Sequence, residues 1–359
     1  MQTFITIIAS GLNTCGIYAL AALGIILIYR TSDTTNYSQG TISTFGAYIG
    51  AWISGLFVNP IETYMNGYDA FVTNYKNTFP DATLTRAEFV KLYEDAGAVR
   101  PGTVSSWFVK FSEEGFIDGY YSWAVAIVSA IAAMICAIII GVLIDRIIIS
   151  RARHSNPLTK QIITLGLISV FLGLSTAVFG SVRQYRFFKF APGTVKIYGA
   201  NVAWSYVANI AVCAILIAIM FTALIKTKWG LSVRATSSNE MVARMMGIPT
   251  PIITMVSWAI AAAVGTLAAL MYAPTTTLDT SLMNSIQVIS LLACVLGGFE
   301  TFHGPIIAAC IIALFKSFVQ FYGGDFAGSY IEAITYAFVL VLMLIRPQGL
   351  FGKKIVKKV

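Results

Sequence analysis

"LAALGIILIYRTSDTTNYSQGTIS" occupies residues 20–43, and "LAALMYAPTTTLDTSLMNSIQVIS" occupies residues 267–290. Both open on Leu-Ala-Ala-Leu. Both then carry Thr-x-Asp-Thr (31–34 and 277–280), an Asn three residues before a Gln (Asn36 and Gln39; Asn284 and Gln287) and finally Ile-Ser. The gaps between these blocks differ by one or two residues. Each copy leaves an apolar run, passes a short polar stretch and enters another apolar run. If the two copies enter opposite sides of a bilayer, they form an inverted repeat, as in many transporters.

The surrounding chain is greasy enough for that reading. Of 359 residues, 57% are hydrophobic and 11% charged, where a soluble domain is about a quarter charged. Mean hydropathy is +0.77. The apolar segments are continuous and roughly 20 residues long, without the alternation of barrel strands. The expected fold is therefore an all-α polytopic membrane protein with eight or nine transmembrane helices and a candidate inverted repeat. Nine segments are expected, near 5–29, 40–57, 123–144, 160–180, 203–225, 250–272, 284–298, 305–322 and 328–345. The seventh is too short for a full crossing and reads as a half-helix or re-entrant piece. The N-terminus lacks a basic region ahead of its apolar run, so that run reads as a span, not a cleaved signal.

Charge places the loops. Pro60 to Tyr121 holds nine acidic and five basic residues; the rest holds seven acidic and nineteen basic. The domains read as first spans at 1–57, an extracytoplasmic insert at 58–122, a transmembrane core at 123–345 and a basic tail at 346–359. Basic residues cluster in 145–160 (Arg146, Arg151, Arg153, Lys160), beside Lys226 and Lys228, and in the tail (Arg346, Lys353, Lys354, Lys357, Lys358). Nine crossings put all three clusters on one side. By the excess of Lys and Arg in cytoplasmic loops, that side is the cytoplasm, with the N-terminus outside and the C-terminus inside. The excess marks loops, and no nucleic-acid partner is expected. Arg183, Arg186, Lys189 and Lys196 disagree, falling outside. In the insert, Thr85 and Glu88 have capping-box spacing, Gly97 is a stop, and Phe89, Leu92 and Tyr93 share one helix face. The insert fits either a tolerated loop expansion or a docking or lid element.

Cys15, Cys136, Cys213, Cys294 and Cys310 all fall in apolar runs. Their spacing shows neither a disulfide framework nor a metal site, so they read as small packing residues and no metal is expected.

One polar stretch interrupts the spans: "GLSVRATSSNEMVARMMGIP", Gly230 to Pro249. Ser237 and Glu240 have capping-box spacing, Gly247 suits a left-handed C′ position, and Pro249 stops the helix. A short cytoplasmic helix at about 237–247 is expected. Val242, Met245 and Met246 form an apolar tip, and Glu240 pairs with Arg244 at i, i+4. Such a tip could fill a groove on another protein or lie on its own membrane.

"GLSVRATSSNEMVARMMGI" resembles the cytoplasmic coupling loop of ABC importer permeases of the branched-chain amino acid type. Four further stretches resemble that family in the same order: "GIYALAALGIILIY" (16–29), "NYSQGTISTFGAYIG" (36–50), "LGGFETFHGPIIAACI" (296–311) and "RPQGLFG" (346–352). The likeness covers nearly the whole chain except the insert. There are departures. Gln39 stands where the family has a His, Phe299-Glu300-Thr301 replaces a Gly-bearing motif, and the insert is atypical.

The resemblance implies a permease subunit of a cytoplasmic (inner) bacterial membrane. Its partners would be a second permease chain, identical or homologous, two ATPase subunits and an extracytoplasmic solute-binding protein. The chain carries no Walker-type phosphate loop. No cofactor is therefore expected on it; ATP and Mg²⁺ belong to the partner ATPase, and the chain is no enzyme. ATPase contacts are assigned to Ser238, Asn239, Glu240, Met241, Ala243, Arg244 and Met245. Polar residues within apolar spans mark the translocation path: Asn13, Thr14, Asn36, Gln39, Thr44, Asn284 and Gln287. Gly46, Gly50, Gly297 and Gly298 allow helix breaks or close packing.

The solute implied is a branched-chain amino acid; urea, short amides and nucleosides are the alternatives among related permeases. No charged residue marks a place for an amino acid's ammonium and carboxylate. A passive channel or secondary transporter shares the composition but needs no capped cytoplasmic helix. An intramembrane protease would need a second aspartate beside Asp325, or a His within a span, and neither His154 nor His303 supplies it.

Overall fold

The computed structural model describes residues 2–79, 84–98, 123–153, 155–180, 193–197 and 199–352. His154, Arg183, Arg186, Lys189, Lys353, Lys354, Lys357, Lys358 and the stretch 99–122 of the insert lie outside them.

Each of the nine expected segments is a helix. They are α1 (Gln2–Ser32), α2 (Gln39–Thr78), α4 (Trp123–Ile144), α5 (Pro157–Phe179), α6 (Trp204–Lys226), α9 (Thr250–Tyr272), α10 (Asn284–Gly297), α11 (His303–Tyr322) and α13 (Ile331–Ile345). Shorter helices lie between them: α3 (Arg86–Asp95), α7 (Lys228–Ser238), α8 (Glu240–Met245) and α12 (Gly324–Ser329). A π-helical turn, Asp145–Ile149, extends α4. A two-stranded hairpin, β1 (Thr194–Ile197) and β2 (Ala200–Ala203), precedes α6. Six of the long helices are apolar enough to cross a bilayer; α10 and α13 are shorter, and α2 falls outside this group. The reason is visible in α2, where Gln39, Ser43, Thr44 and Tyr48 dilute the apolar run, yet all four are buried against neighbouring helices.

α1 and α9 are the inner helices, and their apolar windows are 89% and 78% buried. The duplicated Leu-Ala-Ala-Leu is buried in both, past the middle of α1 and in the last turns of α9. They run antiparallel: Gly24 lies against Ala261, while Thr254 Oγ1, nearer the start of α9, donates to the carbonyl of Thr31 at the end of α1. Their neighbours are exchanged in a matched way. α1 packs antiparallel on α11 (Gly11 against Leu314, Cys15 against Cys310). α9 packs antiparallel on α4, with Gly141 against Trp258 and Ala259. α1 runs parallel to α10, where Ser290 Oγ donates to the carbonyl of Tyr18 and Cys294 Sγ to that of Ala22. α9 runs parallel to α2, with Gly46 against Thr266 and Gly50 against Leu270. Besides the other, each inner helix thus has a matched pair of neighbours, one parallel and one antiparallel, drawn from opposite parts of the chain; α1 packs in addition on α6, with Gly16 against Cys213. The two inner helices oppose each other in direction, which is the relation an inverted repeat demands.

Three features differ from the sequence reading. α2 continues unbroken past residue 57 to Thr78, so the segment expected to end near 57 runs on as one helix. α3 then packs on that extension, with Tyr68, Phe89 and Val90 buried together. The expected capping box is present. Both the amide and the hydroxyl of Thr85 donate to Glu88 Oε2 at 2.8 Å, and these bonds, the backbone one first, hold the Glu88 carboxyl below the usual range.

The second difference concerns the cysteines. Cys15 and Cys310 form a disulfide between α1 and α11, while Cys136, Cys213 and Cys294 stay free. The partners are 295 residues apart in sequence, so only the fold brings them together. The third concerns the polar stretch after α6, described next.

Candidate functional site

Two places gather the candidate residues. The first lies where the two copies of Asn-x-x-Gln meet, at the starts of α2 and α10. Asn36 Nδ2 donates to Gln39 Oε1 (3.2 Å), and Asn36 Oδ1 accepts from the amide and hydroxyl of Ser38 (3.0 and 2.7 Å). Gln39 Nε2 donates to the carbonyl of Ala261 (2.6 Å). From the other copy, Gln287 Nε2 donates to the carbonyl of Asn36 (3.1 Å). These bonds offset the cost of burying amides in apolar surroundings. Asn36, Gln39 and Gln287 are all buried; Asn284 is exposed.

Beside this network opens a cavity of about 410 Å³. It is lined by Tyr37, Gly40 and Thr41 at the start of α2, by Leu165 and Ile168 of α5, and by Asn284, Gln287, Val288, Leu291 and Leu292 of α10. No ionisable side chain other than Tyr37 is among these lining residues. Its volume falls within the roughly 300–1,000 Å³ of small-molecule pockets, and its mix of amides and aliphatic walls suits a solute with polar and apolar parts.

Three of the expected path residues lie elsewhere. Asn13 Oδ1 accepts from Asn209 Nδ2 (3.0 Å), which also reaches the carbonyl of Met271 (3.4 Å). The hydroxyls of Thr14 and Thr44 bond back to Ser10 and Gly40 of their own helices. None of the three lines the cavity. Gly46 and Gly50 face α9: a Cβ on Gly46 would stand 2.3 Å from Thr266 Oγ1. Gly297 packs on the backbone of Gly304, and Gly298 takes a positive φ of 87°. The "RPQGLFG" segment closes over this break, with the Leu350 amide donating to the carbonyl of Leu296 at 2.7 Å.

The second place is the polar stretch. It contains two short helices instead of one. Ser237 lies in the last turn of α7, and its hydroxyl bonds the carbonyl of Arg234, so the expected Ser237–Glu240 box does not form. Asn239 is the cap: it is extended, and its Oδ1 accepts from the Val242 amide (3.1 Å). α7 exists because Gly230, Val233 and Thr236 form a buried stripe; Gly230 packs on the backbone carbonyls of Ala223 and Leu224. Gly247 has φ 83°, as its place after the helix requires.

Glu240 and Arg244 pair at 2.9 Å. An exposed i, i+4 pair alone contributes only about 0.3–0.5 kcal/mol. Here Thr250, the first residue of α9, joins it. Arg244 donates to Thr250 Oγ1 (3.3 Å), and Thr250 Oγ1 donates to Glu240 Oε1 (3.2 Å). The triad ties α8 to a helix of the buried core. The outward face of α8 is apolar: Met245 and Met246 are each 78% exposed, with Met241 and Val242 beside them. A cavity of about 470 Å³ lies against α8, lined by Asp33, Arg153, Ser238, Asn239, Glu240, Met241 and Arg244. Asp33 is the one non-glycine residue with positive φ, 51°, among those described. The α1–α2 turn, the loop after α4 and the α7–α8 segment therefore share one end of the bundle, which brings Arg153 into the same cavity wall as Arg244. Of the expected contact residues, Ala243 is buried and packs inward; the other six are not buried.

Sequence reasoning missed Thr250, Asn209, Thr266 and the Lys316–Tyr18 pair described below. All are polar residues in or at the start of apolar runs, a signal open to reading, but their partners come from distant segments. Among the described residues, no group of His, Cys, Asp and Glu side chains could hold a metal ion.

The antiparallel inner pair, the exchanged neighbours and the six long apolar helices define a polytopic all-α membrane protein. The family model described as "Branched-chain amino acid transport system / permease component" matches residues 7–346, and the chain belongs to that family. It is 24% identical over 337 residues to a probable branched-chain amino acid transport permease protein LivH of Methanocaldococcus jannaschii, covering 93% of this chain and 88% of that protein. It is 22% identical over 245 residues to the high-affinity branched-chain amino acid transport system permease protein LivH of Salmonella typhimurium, covering 66% and 78%. No solved structure matches.

Proposed function

We propose that this chain is the permease subunit of an ABC importer and forms the path for a branched-chain amino acid. Separate ATPase subunits drive it from the cytoplasmic side, a second permease chain completes it, and an extracytoplasmic binding protein delivers the solute. ATP and Mg²⁺ are bound by the ATPase. The N-terminus lies outside, and the basic end of the bundle lies in the cytoplasm, following the charge bias. The protein resides in the cytoplasmic membrane.

The observation that carries this reading is α8. It is a capped helix with an exposed methionine tip, and a three-member bond network fixes it to the first turn of α9. A push on the tip therefore reaches α9, and through Gln39 and Ala261 the amide network. α8 has no such use in a passive channel. In the mechanism, ATPase closure moves α8 as a rigid unit, and α9 shifts against α1 and α2. The cavity beside Asn284 and Gln287 then opens alternately to either side.

The test is ATP-dependent uptake by the complete assembly in proteoliposomes, with leucine, urea and a nucleoside offered separately. Leucine uptake that requires ATP is expected. Replacing both Glu240 and Arg244 with Ala should lower uptake and stimulated ATPase activity together while expression stays normal. Uptake of urea or a nucleoside instead of leucine would contradict the substrate, and uptake without ATPase subunits would contradict the coupling.

A further inference from the structure

Outside the lining of the amide cavity, α11 carries Lys316 inside an apolar run. Its side chain is 19% exposed, and its Nζ donates to the hydroxyl of Tyr18 (3.3 Å), deep in α1. Glu332, in the first turn of α13, stands 3.9 Å away and is 48% exposed. Tyr18, Tyr272 and Tyr336 all lie within electrostatic reach of Glu332. The cluster sits at the end of α9 and the start of α13, opposite the end that bears α8.

An ionised residue in a membrane span is costly, and it is kept where it faces water, a partner or a solute. Lys316 and Glu332 together carry no net charge, and each has capacity left. Lys316 bonds Tyr18 with one of its three donors, and the Glu332 carboxylate is half open. An α-amino acid is also neutral overall, with its two charges on groups around a single carbon. That spacing is of the same order as the 3.9 Å between Lys316 Nζ and Glu332 Oε1.

We infer that Lys316 and Glu332 form an entry site for the zwitterionic head of an α-amino acid, with its carboxylate on Lys316 and its ammonium on Glu332. This inference rests on the proposed function and names the group that function left without a site. Tyr18, buried and hydrogen-bonded, positions Lys316. An uncharged amide offers the pair only hydrogen bonds without a matching charge, and a lone anion or cation leaves one charge unmatched, so the site favours amino acids over the neutral solutes of related permeases.

The experiment is equilibrium binding of radiolabelled L-leucine to the purified permease–ATPase assembly in nanodiscs, with the binding protein omitted. Lys316→Met and Glu332→Gln should each weaken binding about tenfold or more, as expected when one partner of a desolvated charge pair is removed. Tyr18→Phe, which keeps the ring, should weaken it less. In competition, 4-methylpentanoate (no ammonium) and isopentylamine (no carboxylate) should both be at least about tenfold poorer than leucine, and urea should not compete. ATPase co-purification reports that each variant assembles. No leucine binding by the unaltered assembly, or equal binding by assembled Lys316→Met and Glu332→Gln, would overturn the inference. Uptake by the unaltered assembly reports on the proposed function separately: leucine uptake combined with unaffected variants removes the zwitterion site alone.

Discussion

Gln39 is the residue on which the two repeats lean together. Its amide bonds Ala261 of one inner helix and Asn36 of its own segment, and Asn36 in turn holds Gln287 of the second copy. Replacing Gln39 with Leu keeps the bulk but strands the Ala261 carbonyl contact and one Asn36 donor. The loss should be about 1–3 kcal/mol of stability, read as a lower thermal midpoint in detergent, with weaker transport. Gly46→Ala tests close approach, because the added methyl meets the Thr266 side chain at 2.3 Å and either that side chain or α2 must move; strain of about 1–3 kcal/mol is expected by the same measurement. Asn239→Ala removes the α8 cap at a local cost of about 1 kcal/mol, visible as faster hydrogen exchange at the Val242 amide. The Asn-x-x-Gln pairs and the Glu240–Arg244 spacing were legible in sequence. The choice of Asn239 over Ser237 as cap was not, since the stripe Gly230, Val233 and Thr236 extends α7 and draws Ser237 into its last turn.

Among the elements, α8 and α3 make contrasting cases. α8 is joined to the core through Thr250, so Thr250→Val should uncouple it. ATPase stimulation should fall while ATPase co-purification persists, because the methionine tip is intact. α3 packs on the far end of α2 through Tyr68, Phe89 and Val90. Phe89→Asp should free α3, raising its hydrogen exchange, and leave ATPase binding unchanged. The Thr85–Glu88 box and the apolar spacing at Phe89 showed α3 directly. The continuity of α2 was hidden, because residues 57–78 turn polar where the helix leaves the apolar zone, and polarity resembles a loop when no neighbour is visible.

Over the whole molecule, the order of the apolar runs and the echo at residues 20–43 and 267–290 sufficed for the class and for opposed repeats. The exchanged packing, α1 on α11 and α9 on α4, required the fold. So did Cys15–Cys310, which closes nearly the full length of the chain. Replacing both with Ser should destabilise the protein by about 2–4 kcal/mol, and peptide mapping without reductant should recover the linked pair. The path residues split for the same reason: Asn13 and Gln39 look alike in sequence, but Gln39 joins the Asn36–Gln287 network while Asn13 pairs with Asn209. In the proposed mechanism, the Met245 end of α8 is the part an ATPase grips. Met245→Cys in a chain otherwise free of reactive cysteines, treated with a short bifunctional thiol reagent in the assembled transporter, measures it. The account predicts a covalent adduct to the ATPase subunit; modification of the introduced thiol by an impermeant maleimide from the outer face, with no ATPase adduct, would contradict it.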